Sequence, residues 1–206
     1  MTRLVPVDVR NCVPLRIGDG ESSIGSRLGG SAPEGVRPTR VTSATRYFCT
    51  IRIVEDPVQE ITVFLSFDFS CMFDCASIVH ESGDVVEVVT HGESRRGVDP
   101  KFASELTPHP IHHGQVSTDA FSHERGIRRV RPSHKLGGSP FIQESEGLSD
   151  VIAELTKQGY LQILQIDFPS LDDGDIDGDW PFAGGMFHVF GREPFSDCLW
   201  KCLWQY

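Results

Sequence analysis

The segment Asp173-Gly174-Asp175-Ile176-Asp177-Gly178 sets carboxylates at alternate positions ahead of a glycine, the oxygen-donor spacing of the first half of a calcium loop. The second half does not follow. Pro181 stands at the ninth position, and Gly184 at the twelfth, where an EF-hand needs a bidentate Glu. Five carboxylates remain in eight residues, and no Lys or Arg lies between Asp167 and Arg192 to neutralise them. Such a loop holds a weakly bound Ca²⁺, sits solvated at a hairpin tip, or faces a basic partner. Asp172, Asp173, Asp175, Asp177 and Asp179 are therefore the expected partner-binding residues, and no metal is assigned to them.

Cys71, Cys75, Cys198 and Cys202 form two C-x₃-C pairs. Zinc knuckles favour C-x₂-C, so buried structural thiols are the expectation. His109, His112, His113 and His123 crowd a polar stretch with Asp119 nearby, but no H-E-x-x-H or comparable frame surrounds them, and an exposed loop is expected. Arg125, Arg128, Arg129 and Arg131 make a local basic patch, read as a salt-bridging face. No G-x-S-x-G and no phosphate-binding glycine fingerprint occurs. No catalytic residue and no cofactor is assigned.

Two glycine pairs dominate the elements that must position these groups. Arg27-Leu28-Gly29-Gly30-Ser31 recurs as Lys135-Leu136-Gly137-Gly138-Ser139, with Pro140 following the second. Gly29, Gly30, Gly137 and Gly138 are read as structural turns that need φ > 0 or close backbone approach. Phe69 to Cys75 also parallels Phe195 to Cys202, so pseudo-repeats are expected over about 26–75 and 134–202, inside a single domain spanning 1–206.

Tyr47 to Ile53 and Ile61 to Phe69 alternate as an antiparallel pair around a Glu55-Asp56-Pro57 turn, and Val85 to Val89 is a further strand. Residues 1–45 read as loops apart from Val13 to Ile17, and 92–133 as mostly irregular with a short helix near 100–106. Ser149 is the expected N-cap of a helix with Leu148, Val151, Ile152 and Leu155 on one face and Gly159 as its C-cap. Tyr160 to Phe168 and Gly185 to Phe190 read as strands, and Phe195 to Tyr206 as a packed tail.

A length of 206 residues, with 39% hydrophobic content, 13 Phe and 3 Trp, is enough for a packed core. No apolar run approaches the ~20 residues that span a bilayer, and the start MTRLVPVDVRNC has no apolar signal region. A cytoplasmic chain with reduced thiols is expected. The formal net charge of −10 disfavours nucleic acid and anionic membrane and favours a basic protein.

Around HKLGGSPFIQ, Leu164-Gln165-Ile166-Asp167, Gly178-Asp179, Gly185 to Phe190 and Trp204-Gln205, the chain resembles the YwqG-like family of bacterial proteins of unknown function. The likeness extends over residues 134–206 and thinly over 26–70. It lacks the Trp-Pro usual after the Gly-Gly turn and carries a helix-like insert at 147–158. The resemblance implies an α+β, mainly antiparallel fold with few helices. It supplies no catalytic residues. Members lie near toxin genes, so it also implies an immunity or antitoxin role. The expected function is thus a protein-binding module that neutralises a basic toxin, rather than an enzyme. The alternative is a small-ligand binder or enzyme using a cleft between the two pseudo-repeats.

Overall fold

The computed structural model describes residues 2–18, 20, 25–34, 45–66, 75–81, 84–91, 107–119, 134–141, 148–168, 185–192 and 201–205. The chain opens with β1 (Thr2–Arg3), β2 (Asn11–Ile17) and β3 (Arg27–Leu28), followed by a meander of β4 (Thr45–Asp56), β5 (Val58–Ser66), β6 (Cys75–Glu81) and β7 (Asp84–His91). Then come β8 (His109–His113), β9 (Ser117–Thr118) and β10 (His134–Gly137). The helix α1 (Leu148–Lys157) precedes a second meander, β11 (Leu161–Phe168), β12 (Gly185–Gly191) and β13 (Lys201–Gln205).

Every strand pair among the described residues is antiparallel, along the path β13-β12-β11-β10-β2-β8-β3-β4-β5-β6-β7. With one helix among the described residues, this is a sheet-dominated α+β architecture. β-branched and aromatic residues fill β4, β5 and β12, the types that suit a pleated, buried surface. Five strands separate β12 from β4 on the path, yet Phe48 and Phe187 meet edge to face with centroids 5.1 Å apart. The sheet therefore curls on itself. Val13, Leu15, Ile17, Leu28, Ile51, Ile61, Leu136, Ile163 and Phe187 belong to the one core inside that curl. A smaller cluster, Ile152, Leu155, Tyr160 and Phe190, seats α1 beside β12.

The two Gly-Gly strands sit in matching surroundings. Arg27 lies across from Pro110 and Thr50, and Lys135 across from Pro14 and Gln165. Thr50 in turn faces Thr62, and Gln165 faces His188. The β4–β5 register slips by one residue at Phe48 and again at Ile53, and the β11–β12 register slips at Ile163.

Several sequence expectations need correction. Residues 109–113 are a strand in the middle of the sheet, not part of an exposed irregular loop. Two prolines, Pro14 and Pro110, disguise the central strands. Proline lacks a ladder N–H and ordinarily argues against such a position. β6 escapes the strand pattern because CASIVHE has no clean alternation. The helix begins at Leu148, so Ser149 lies in its first turn instead of capping it, and Val151 is 43% exposed, off the buried face. Gly159 ends the helix at φ 81°, with Tyr160 N–H donating to the Leu155 carbonyl at 3.0 Å.

Candidate functional site: the Gly-Gly turns and their polar partners

Gly29, Gly30, Gly137 and Gly138 have φ of 71°, 74°, 68° and 77°, the left-handed region where a Cβ is strained. The second turn also admits neighbours that a Cβ would obstruct. One built at Gly138 would overlap the Asp119 carboxylate and stand 3.1 Å from Cβ of Cys12.

Those neighbours make a buried ion pair. Lys135 Nζ donates to Asp119 Oδ2 at 2.7 Å and to the Ser139 carbonyl at 2.6 Å, and the Ser139 N–H donates to the same carboxylate oxygen at 2.7 Å. The two side chains are 1% and 7% exposed, respectively. Gln162 Nε2 donates to the Gly137 carbonyl at 3.3 Å, and Gln165 Oε1 accepts the Phe141 N–H at 3.0 Å. The Cys12 thiol is pushed above its ordinary range by burial and by the Asp119 charge, which keeps it protonated and weakly nucleophilic. This ammonium has no open approach for a substrate carbonyl, and the thiol is no thiolate. The arrangement fastens 117–119 and 139–141 to the turn.

The first turn is built alike with different residues. Arg27 Nη2 donates to the Ser31 carbonyl at 3.0 Å, and its guanidinium lies 5.8 Å from the Tyr47 ring centroid. Tyr47 Oη donates to Thr50 Oγ1 at 3.1 Å, where the second turn has Gln162 donating to Gln165 at 3.4 Å. Burial pushes the Tyr47 phenol far above its ordinary value.

Next to it, Ser26 Oγ accepts the Arg52 backbone N–H at 3.0 Å and lies 3.0 Å from His113 Nε2. A serine beside an imidazole is the nucleophile-and-base pairing of acyl transfer. Ser26 is fully buried, however, and nothing can reach its oxygen in line. The pair is a structural contact. The Arg52 guanidinium itself turns to Glu60 across the β4–β5 ladder at 3.2 Å.

Desolvation, with Arg52 and His112 nearby, lowers the His113 pKa from 6.5 to about 4. The unfolded chain then takes up the proton first as pH falls. The stability contributed by neutral His113 is full above pH 6.5 and is lost progressively toward pH 4. Urea midpoints measured at pH 7 and pH 4.5 should show a smaller drop for His113→Gln than for the parent chain. Equal drops would remove His113 as a source of acid sensitivity.

The residues singled out in the sequence divide accordingly. Of the histidines, His109, His112 and His113 are on β8, and His113 faces Ser26, while Asp119 goes to Lys135 instead of to a histidine. Among the described residues no group of three or more His, Cys, Asp or Glu could hold a metal ion. Cys75 lies on β6 and Cys202 on β13, on opposite flanks of the strand path; Cys71 and Cys198 lie outside the described residues. So do Asp172, Asp173, Asp175, Asp177, Asp179, His123 and the arginines at 125, 128, 129 and 131. No described helix is long and apolar enough to cross a membrane. The Lys135–Asp119 pair is absent from the sequence expectations, although a lysine inside an apolar strand segment is itself a signal of a buried partner. No protein-family model matches the chain, and no curated protein and no solved structure matches it.

Proposed function

We propose that this chain is a cytoplasmic protein-binding module made of two related strand units, and that its partner is a basic protein, a toxin that it neutralises. The role in immunity comes from the YwqG-like resemblance of the segment from Lys135 to Pro140 and the strands after it. The observation that carries the reading is the use of polar groups. Lys135, Asp119 and Ser26 bond to backbone and His113 meets Ser26, while a formal net charge of −10 is left to act outward. Such a field speeds association with a cationic partner and repels nucleic acid and anionic lipid.

The register matches support two units. Thr50 and Thr62 correspond to Gln165 and His188, and the slip at Phe48 in one unit has its counterpart at Ile163 in the other, while a further slip at Ile53 belongs to the first alone. On the last shared strand, Ser77 faces Val63 as Cys202 faces Val189, so Ser77 is the counterpart of Cys202 and the cysteine pairs do not align.

In the proposed complex Asp173, Asp175 and Asp177 face the partner. Replacing all three with Asn should leave the melting temperature unchanged, slow association with a partner recovered from the native host and flatten its salt dependence. An unchanged association rate would remove this loop from the interface. A rise in melting temperature with millimolar Ca²⁺ in the parent chain alone would assign the loop to calcium instead.

A further inference from the structure

The neighbours of β2 and β8 lead further, on the basis of the two-unit reading. In chain order the first unit runs β2, β3, β4, β5, β6 and the second runs β8, β10, β11, β12, β13. β2 does not pair with β3, the Gly-Gly strand of its own unit. It pairs with β10, Val13 opposite Leu136 and Pro14 opposite Lys135. β8 pairs with β3, His109 opposite Leu28 and Pro110 opposite Arg27.

The two strands then meet each other in the middle of the sheet, with Leu15 opposite His113, Arg16 opposite His112 and Ile17 opposite Ile111. Pro14 and Pro110 are counterparts, since each faces the basic residue of a Gly-Gly strand. Counting on two residues from each makes Arg16 and His112 counterparts, and these face one another. That is the signature of a two-fold axis through the pair. The flanking bonds obey it. Gly18 N–H donates to the Pro110 carbonyl at 3.3 Å, and Gly114 N–H donates to the Pro14 carbonyl at 2.8 Å. The close approach at each turn obeys it as well: a Cβ at Gly30 would stand 3.0 Å from Cβ of Pro108, and one at Gly138 would stand 3.1 Å from Cβ of Cys12.

We propose that the two units are joined by reciprocal exchange of their first strands, and that the surface so formed is one by which a unit of this fold binds a second copy of itself. Each unit alone lacks the strand that covers one side of its Gly-Gly strand, and Leu28 and Leu136, both fully buried, would lose that cover. The contact is isologous, the geometry of a domain-swapped dimer, here completed within one chain. Because β2 and β8 fill each other's places, this surface is closed to outside copies, and any other partner has to use a different face.

Interstrand nuclear Overhauser effects in the intact, isotope-labelled chain test this without any substitution. The exchange predicts contacts between the backbone protons of Val13 and Leu136 and between those of His109 and Leu28. Contacts of Val13 with Leu28 and of His109 with Leu136 would overturn it and leave the two-unit reading standing. That reading fails separately if the β4–β5 ladder lacks its slip at Phe48 or the β11–β12 ladder lacks its slip at Ile163, and the proposal falls with it.

Discussion

Asp119→Ala is expected to be among the most damaging single substitutions in this protein, lowering the unfolding free energy by about 3–5 kcal/mol in urea titrations at neutral pH. The side chain it removes accepts both the Lys135 ammonium and the Ser139 N–H at 2.7 Å. Lys135 is 1% exposed, so its charge would stay buried without the Asp119 carboxylate. Coulomb attraction between the partners is not what makes this loss large. The cost comes from desolvating a charge whose partner has gone, and it distinguishes this pair from the exposed Asp8–Arg10 bridge, where little is desolvated. Replacing both partners together, as Lys135→Met with Asp119→Leu, should recover a substantial part of the loss, because both charges of the pair are then gone. A single-variant loss below about 1 kcal/mol would mean that water reaches the ammonium, and the clamp assigned to this pair would be wrong.

Gly138→Ala should come close to it. The substitution places an Ala at φ 77°, a conformation that costs about 1–2 kcal/mol for a residue with a Cβ. It also drives that Cβ into the Asp119 carboxylate, with Cγ only 2.9 Å away. The expected loss is about 3 kcal/mol or more, combining backbone strain with a disturbed ion pair. Gly30→Ala shares the strain at φ 74° but meets only Cβ of Pro108 at 3.0 Å, so about 1–3 kcal/mol is expected there. The two glycines thus separate conformation from crowding. In an Asp119→Ala background, Gly138→Ala should cost markedly less than in the parent, since the obstructing carboxylate is gone. Strict additivity would show that Asp119 does not crowd the turn.

The sequence discloses what is repeated and local. The two glycine pairs announce their turns because φ near +70° is a demand that few other residues meet, and the helix from Leu148 follows from its apolar spacing. The middle of the sheet is not legible. Pro14 and Pro110 stand in strands although neither has an N–H, and their carbonyls accept the N–H groups of Gly114 and Gly18, which follow the opposite strand. Those bonds are made by residues some hundred positions away, and no local pattern contains them. Asp119 misleads for the same reason. Its nearest chemistry in sequence is histidine, but its nearest in space is Lys135, brought there when β9 and β10 both pair with β2.

The partners of β2 also set a timetable for synthesis. Its described neighbours, β8, β9 and β10, all begin at His109 or later, while the strand itself is complete at Ile17. At roughly 5–20 residues per second, that gap leaves β2 on a growing chain for about 5–20 s before any of those neighbours exists. The β4–β7 meander can close meanwhile, because its ladders link consecutive strands. Val13, Leu15 and Ile17, which end up in the core, spend that interval open to water and to other nascent chains. The early chain is thus a natural client for holding chaperones, and the second half of the message decides when its beginning can be buried.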